Sequence, residues 1–287
     1  MKPARQVEPF LEKLFHQYHR AEYLHSDPLR IPHKYNQKND QELVALIAAL
    51  FAYGSASQLM PAVEAILKPL GPRPADFVLN YKPAKLWSGV YYRFHKEEHF
   101  EFLILMLHKI LKEYGSLEAF FGEGTVEQCL NKAADKTYKI MGSLQIPVHL
   151  KRGMRFLWNQ PSAGSACKRL LMYFRWMVRK DDLDFGLWNS LKPKDLVIPL
   201  DTHVARLSYY LRLRDSKENK APGWKMAVEV TQALAEIDPE DPVRYDFALS
   251  RLGILNLCKK HYEKSICTQC AVEPACRYSQ IRLEKKK

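Results

Sequence analysis

The chain has 287 residues, 47% of them apolar, and a formal net charge of +12 at pH 7. We expect one large domain or two ordinary ones, because a chain of this length and composition can bury a substantial core. The first twenty residues mix charged and apolar residues, and the longest apolar run, at 43–53, is too short for a bilayer, which excludes a secretory signal and a membrane span. The sequence therefore predicts a soluble, cytoplasmic protein with no membrane partner, whose thiols stay reduced.

Helical periodicity dominates the chain, and no series of alternating strands is evident. The stretch DQELVALIAALFAY, which begins at Asp40, is typical of a buried helix with an acidic first turn, and Gly54-Ser55 ends it. Breakers such as Gly71-Pro72 and Asp238-Pro239 separate the periodic segments. Further helices are predicted at about residues 7–19, 57–68, 96–112, 125–141, 165–179, 202–212, 224–236 and 243–255.

A basic stretch occupies residues 151–180, where eight of the thirty residues are Lys or Arg and none is acidic. Its sequence is KRGMRFLWNQPSAGSACKRLLMYFRWMVRK. Two interpretations stay open. One is a solvated helical face with counter-ions, and the other is a surface that binds a polyanion.

Asp201 stands in the segment VIPLDTHVARL, where it follows Pro199-Leu200 and precedes a predicted helix. This position is typical of an N-cap, whose carboxylate accepts a hydrogen bond from a backbone N–H of the first turn.

Four of the six cysteines lie near the end of the chain, with intervening gaps of eight, two and five residues. Cysteines two residues apart can direct both sulfurs to one centre, so the spacing indicates a metal site. Four thiolates suit either tetrahedral zinc or a [4Fe–4S] cluster, and the spacing alone leaves both open. The candidate ligands are Cys258, Cys267, Cys270 and Cys276, whereas Cys129 and Cys167 stand alone and are expected to pack in the core.

Three segments in this order resemble the helix-hairpin-helix DNA glycosylase superfamily of endonuclease III. They are PSAGSACKRLL at 161–171, VIPLDTHVARL at 197–207, and VRYDFALSRLGILNLC at 243–258, which leads into the four-cysteine tail. More closely, the chain resembles an uncharacterised bacterial family that is distantly related to that superfamily. The resemblance covers roughly residues 40–276.

The resemblance implies an all-α fold of two helical lobes, with a DNA-binding cleft between them and a four-cysteine iron–sulfur loop near the C-terminus. It places a helical barrel with the hairpin at 36–190, and a discontinuous helical domain with the cluster loop at 1–35 and 191–287.

The resemblance also implies roles for individual residues. Lys168 falls where the superfamily has its nucleophilic lysine, and Asp201 matches the aspartate that faces the extruded nucleotide. Gly164, Ser165 and Ala166 form the DNA-binding turn, although Ala166 replaces the second glycine of that turn. Further DNA contacts are implied for Arg169, Arg206, Lys259 and Lys260, and the four cysteines would hold the [4Fe–4S] cluster despite a first gap longer than the usual six.

The implied function is base-excision repair of DNA by a glycosylase, an abasic-site lyase, or both. In that chemistry the Lys168 amine attacks C1′ of a flipped-out nucleotide to form a Schiff base, and Asp201 accepts a proton or stabilises positive charge. The expected partner is double-stranded DNA, damaged or abasic, in a bacterial cytoplasm near the nucleoid. A catalytically silent nucleic-acid binder of the same fold, an RNA-binding protein and a zinc-stabilised interaction protein remain as alternatives.

Overall fold

The computed structural model describes residues 3–215, 220–259 and 261–279. This part of the chain is mostly helical, which confirms the predicted all-α class. The only strands in the described ranges are β1 (Tyr91–Tyr92) and β2 (His95–Lys96), which form a short antiparallel hairpin. The helices are α1 (Glu8–Tyr18), α2 (Lys38–Leu50), α3 (Ala56–Leu67), α4 (Pro74–Leu79), α5 (Glu97–Tyr114), α6 (Leu117–Phe121), α7 (Val126–Ser143), α8 (Val148–Leu157), α9 (Lys168–Val178), α10 (Thr202–Tyr210), α11 (Trp224–Ala235), α12 (Asp246–Ile254) and α13 (Lys264–Cys267).

Every helix predicted from periodicity is present, with bounds that differ by a few residues. Four helices were not predicted. Three of them, α4, α6 and α13, are too short to show a periodic pattern. The fourth, α8, contains Gly153, which lowers helix propensity but is needed for packing. A Cβ at Gly153 would lie 2.4 Å from His99 Nε2.

Helix α2 lies at the centre of the core, and every residue from Leu43 to Leu50 is buried. Its two acidic residues, Asp40 and Glu42, are buried as well, because each caps a neighbouring helix. Asp40 Oδ1 accepts a hydrogen bond from Ala75 N at the start of α4, at 2.8 Å. Glu42 accepts hydrogen bonds from Leu117 N and Glu118 N at the start of α6. These carboxylates satisfy helix N–H groups that would otherwise lack a partner.

The N-terminal segment packs against the helices that precede the cysteines. Helix α1 lies on α12. Glu12 forms an ion pair with Arg244 at 3.2 Å, and the buried Arg251 of α12 pairs with Asp27. These contacts join the N-terminal segment to α12 and the residues just before it. The predicted division into a barrel at 36–190 and a second domain stays a prediction.

None of the described helices has both the length and the apolar character that a bilayer crossing requires.

Candidate active site

A cavity of about 290 Å³ lies where five parts of the chain meet, and we call it the Lys168 pocket. Its lining comes from residues 26–28, the connection from α2 to α3 with the first turn of α3, helix α9, residues 199–204 at the start of α10, and helix α12. Both residues predicted to be catalytic, Lys168 and Asp201, line it. The structure therefore brings together two side chains that are 33 residues apart in the sequence.

The chain reverses direction just before Lys168, the first residue of α9. Gly164 (φ +78°) and Cys167 (φ +49°) both adopt left-handed backbone conformations, and Ser165 Oγ accepts a hydrogen bond from Cys167 N at 3.2 Å. The turn is fixed to the start of α11, because Gly164 O accepts a hydrogen bond from Trp224 N. This geometry directs the first turn of α9 to the pocket.

Lys168 is partly exposed. Its amine makes no hydrogen bond and no ion pair within residues 3–215, 220–259 and 261–279. A lysine amine without a carboxylate partner is a better candidate for a nucleophile than one in a salt bridge, because ion pairing stabilises the ammonium form.

Asp201 is the N-cap of α10, as predicted. Its Oδ1 accepts hydrogen bonds from His203 N and Val204 N, both at 2.8 Å. Its Oδ2 has no hydrogen-bond partner in the part of the chain that the structure describes. One oxygen thus holds the helix start, and the other is available to a ligand in the pocket.

Asp246 is a third ionisable group of the Lys168 pocket, and the sequence interpretation missed it. It is the first residue of α12 and 4% exposed, and its Oδ2 accepts a hydrogen bond from Arg175 Nη1 at 2.5 Å. Burial raises the pKa of Asp246 to about 6; Arg175 and Lys168 oppose this rise, and Asp201 adds to it. The sequence signal for it is a charged residue between two aromatic residues, Tyr245 and Phe247.

Arg175 and Arg179 of α9 form a buried network of ion pairs beneath the pocket. Arg175 pairs with Asp184 at 3.3 Å as well as with Asp246, and Arg179 pairs with Asp184 and with Asp241. Two arginines of the basic stretch are therefore internal. Neither the solvated-face nor the polyanion-surface interpretation holds for them, because their carboxylate partners come from outside that stretch.

Arg169 is also internal, which corrects the prediction that it contacts DNA. Its side chain is 7% exposed and donates hydrogen bonds to Leu50 O and Phe156 O, which join α2 to α8. The guanidinium also lies 4.2 Å from the centre of the Phe156 ring. A DNA phosphate cannot reach the Arg169 guanidinium, because it is buried and bonded to backbone carbonyls.

The other predicted DNA contacts differ in accessibility. Gly164 is exposed, Ser165 is partly exposed and Ala166 is buried. Arg206 is partly exposed and lies 3.1 Å from His203 Nδ1, which lines the pocket. Lys259 is partly exposed, whereas Lys260 lies outside the described residues.

Three buried N–H donors belong to residues that line the Lys168 pocket and have no hydrogen-bond partner in the described ranges. They are Arg175 Nε, Trp176 Nε1 and Arg251 Nε. A buried donor left unpaired costs about 1–3 kcal/mol. Such a lining favours a ligand that is rich in hydrogen-bond acceptors.

The four C-terminal cysteines, which we call the thiol cluster, surround a second cavity of about 40 Å³. Burial, together with smaller contributions from the other three thiols, raises the pKa of Cys270 to about 11, which shows that the four groups are neighbours. In the described ranges, no three His, Cys, Asp or Glu side chains converge closely enough to hold a single metal ion. Zinc needs its sulfurs about 2.3 Å from one point, whereas each iron of a [4Fe–4S] cluster needs only one thiolate. Four thiols around one cavity are a donor set that either group uses. Cys129 and Cys167 are buried, as expected.

A family model described as "Protein of unknown function (DUF2400)" matches residues 27–255. No helix-hairpin-helix glycosylase family matches, so the assignment to that superfamily is wrong, and the roles it implied need support from geometry. No curated protein and no solved structure matches the chain. The matched range contains Lys168, Asp201 and Asp246 and ends just before the thiol cluster.

Proposed function

We propose a function for this chain, which belongs to the DUF2400 family, from the chemistry of the Lys168 pocket. The protein is a DNA glycosylase, an abasic-site lyase, or both, and it acts on C1′ of a nucleotide extruded into the pocket. The observation that carries this proposal is the unpaired Lys168 amine in the same pocket as a carboxylate, Asp201, that has one free oxygen.

The pocket residues suit Schiff-base chemistry. The neutral Lys168 amine attacks C1′, and Asp201 accepts the proton that the nitrogen loses or stabilises the positive charge that develops on the sugar. The resulting Schiff base makes a proton on C2′ acidic, and β-elimination then cleaves the strand on the 3′ side. A lysine that pairs with a carboxylate would be poorly suited to the first step.

The size and lining of the pocket suit an extruded nucleotide. At about 290 Å³ the cavity lies near the lower end of the usual range for small-molecule sites, about 300–1,000 Å³. Enzymes that act on the glycosidic bond must take the nucleotide out of the stack.

The surface beside the pocket also suits DNA. Gly54 lines the pocket, and a Cβ at Gly54 would lie 3.4 Å from Arg93 Nη1, so the β1–β2 turn borders it. This hairpin exposes two aromatic side chains, Tyr91 (75% exposed) and Phe94 (48% exposed). Arginine and aromatic side chains together are typical of surfaces that stack on bases and contact phosphates.

The thiol cluster supports a [4Fe–4S] cofactor in the same proposal. Cys258, Cys267, Cys270 and Cys276 would hold it, and it would brace the end of the chain without taking part in the reaction. Lys259 beside the first ligand would then be held where it can contact a DNA phosphate.

The proposal also includes a DNA-binding cleft between two domains and a location in the cell. A cleft between a barrel at 36–190 and the remaining domain would bind double-stranded DNA on either side of the pocket. The net charge of +12 favours such a partner. The expected site of action is the bacterial cytoplasm near the nucleoid.

The test is borohydride trapping on a duplex with one abasic site. Wild type and Lys139→Ala, a matched control at an exposed lysine outside the pocket, should both give a covalent protein–DNA band, and Lys168→Ala should give none. DNA that binds wild type without any covalent band would rule out lysine chemistry. A base-release assay would then separate a glycosylase without lyase activity from a silent DNA binder, which the alanine at position 166 of the turn favours.

A further inference from the structure

The Lys168 pocket contains two carboxylates in contrasting surroundings. Asp201 is partly exposed and accepts two backbone N–H groups at the start of a helix, where a carboxylate is well stabilised. Asp246 is buried, and its Oδ1 has no hydrogen-bond partner in the described part of the chain. When the surroundings of two carboxyl groups differ in this way, the buried group is the one suited to carry a proton.

The charged groups around Asp246 come from each element that packs on it. Helix α9 contributes Arg175 and Lys168, and the start of α10 contributes Asp201. Asp27 pairs with Arg251 of α12 itself, and Asp184 lies on the far side of Arg175. Glu12 of α1 contacts Arg244 and Tyr245 instead, and His19, the residue after α1, contacts Asp181.

Burial outweighs these attractions, because the pKa of Asp246 is raised to about 6 even though Arg175 and Lys168 are close. The group therefore exchanges a proton near neutral pH, where most carboxyl groups are fully ionised.

We propose that Asp246 is a third catalytic residue of the Lys168 pocket, which donates a proton to the group that leaves C1′. This inference rests on the proposed function, because it deepens the chemistry of the same pocket.

On an abasic site the step balances as follows. The Lys168 nitrogen forms a bond to the C1′ aldehyde carbon, and the π electron pair of the C=O bond moves to the oxygen. Asp201 accepts a proton from the nitrogen and passes it to this oxygen, which gives a neutral carbinolamine with a C1′ hydroxyl. Asp246 then donates its proton to the C1′ hydroxyl, the C–O bond breaks with its electron pair, and water leaves. The nitrogen lone pair forms the C=N bond, and the Asp246 carboxylate remains paired with Arg175. With a base still attached, the same proton would go to the leaving base nitrogen.

The experiment compares the single-turnover trapping rates of wild type and Asp246→Asn on the abasic duplex from about pH 5 to about pH 8.5. Asparagine keeps an acceptor for Arg175 but cannot donate the proton. At about pH 5 we expect wild type to be faster by about 10²–10⁴-fold, the usual contribution of a general acid. Above about pH 6 this ratio should fall about tenfold per pH unit, because wild type loses the acid form of Asp246.

Asp184→Asn is the matched control, because Asp184 is equally buried and pairs with the same arginine but does not line the pocket. Its rate relative to wild type should not change with pH. A ratio for Asp246→Asn that is near one, or that is constant across the pH range, would show a structural role and overturn the proposal.

Two further outcomes are distinguishable. If wild type forms no trapped product at any pH, the proposed function fails first, and the role of Asp246 fails with it. If Asp246→Asn does not melt cooperatively, the variant is not folded and the pH dependence of the wild-type trapping rate tests the proposal instead. A plot of the wild-type log rate against pH should bend at about pH 6, where Asp246 loses its acid form. A rate that keeps rising through this range would overturn the proposal.

Discussion

The Lys168 pocket draws its lining from five separate parts of the chain between Ser26 and Ile254, whereas the thiol cluster comes from only nineteen consecutive residues. The pocket is supported by buried ion pairs of Arg175, Arg179 and Arg251. The segment with the thiols has one four-residue helix, α13, and its cysteines are only partly buried.

The pocket and the thiol cluster differ in whether they need a bound group to be ordered. The pocket contains its own counter-charges, so its geometry exists without a ligand. The thiol cluster brings four ionisable sulfurs together, and deprotonation of all four is unfavourable unless a bound metal compensates. We therefore expect a bound group to stabilise the cluster segment and to affect the pocket only weakly.

Cys270→Ser should have the largest effect, and this effect should be confined to the thiol cluster. Loss of one thiolate should reduce the iron content from about four per chain to near zero and remove the visible absorbance. Hydrogen exchange in residues 257–279 should rise, while protection of α9 and α2 should stay near the wild-type level. Cys129→Ser, at a buried cysteine outside the cluster, is the control and should keep its iron. Stoichiometric zinc in a colourless wild type would contradict the cluster.

Arg175→Met tests whether the buried ion pairs stabilise the Lys168 pocket. Removal of the guanidinium leaves Asp246 and Asp184 buried without their shared partner, so the free energy of unfolding should fall by about 3–5 kcal/mol. Urea denaturation at neutral pH measures this loss. Arg152→Met, at an exposed arginine of the same basic stretch, should change stability by no more than about 0.5 kcal/mol. Equal effects for both variants would show that the buried network does not support the pocket.

The helices could be predicted because each long one buries an apolar face, and the 3.6-residue period of that face is visible in the sequence. Helix α8 was missed because Gly153 belongs to a contact with His99 that is 54 residues away and leaves no local signal. Short helices such as α6 show no periodic face, and the cap that α6 receives from Glu42 of another helix leaves no local signal beside its own N-cap, Ser116.

The site was only partly predictable. Lys168 and Asp201 were named from short motifs, and the structure places both at one pocket, although their roles remain predictions. Asp246 and Arg175 were missed because their pairing spans 71 residues and only the fold brings them together. The same limit explains why three arginines of the basic stretch were interpreted as surface groups. The superfamily resemblance was wrong because it rested on motifs too short to specify a family.

Substitutions at two glycines test how tightly α12 packs against α10 beside the pocket. Gly253 of α12 lines the pocket beside His203, and a Cβ at Gly253 would lie 2.8 Å from His203 Cγ. Gly253→Ala should therefore cost about 1–3 kcal/mol through overpacking, despite the better helix propensity of alanine. Gly142 of α7 has no atom within 4 Å of such a Cβ, so Gly142→Ala should stabilise the protein by about 0.5–1 kcal/mol. Because His203 N donates to Asp201, Gly253→Ala should also slow trapping on the abasic duplex, and Gly142→Ala should not. Opposite shifts in melting temperature for the two variants would confirm that α12 and α10 meet without spare room at the pocket, whereas equal shifts would mean that α10 can move aside.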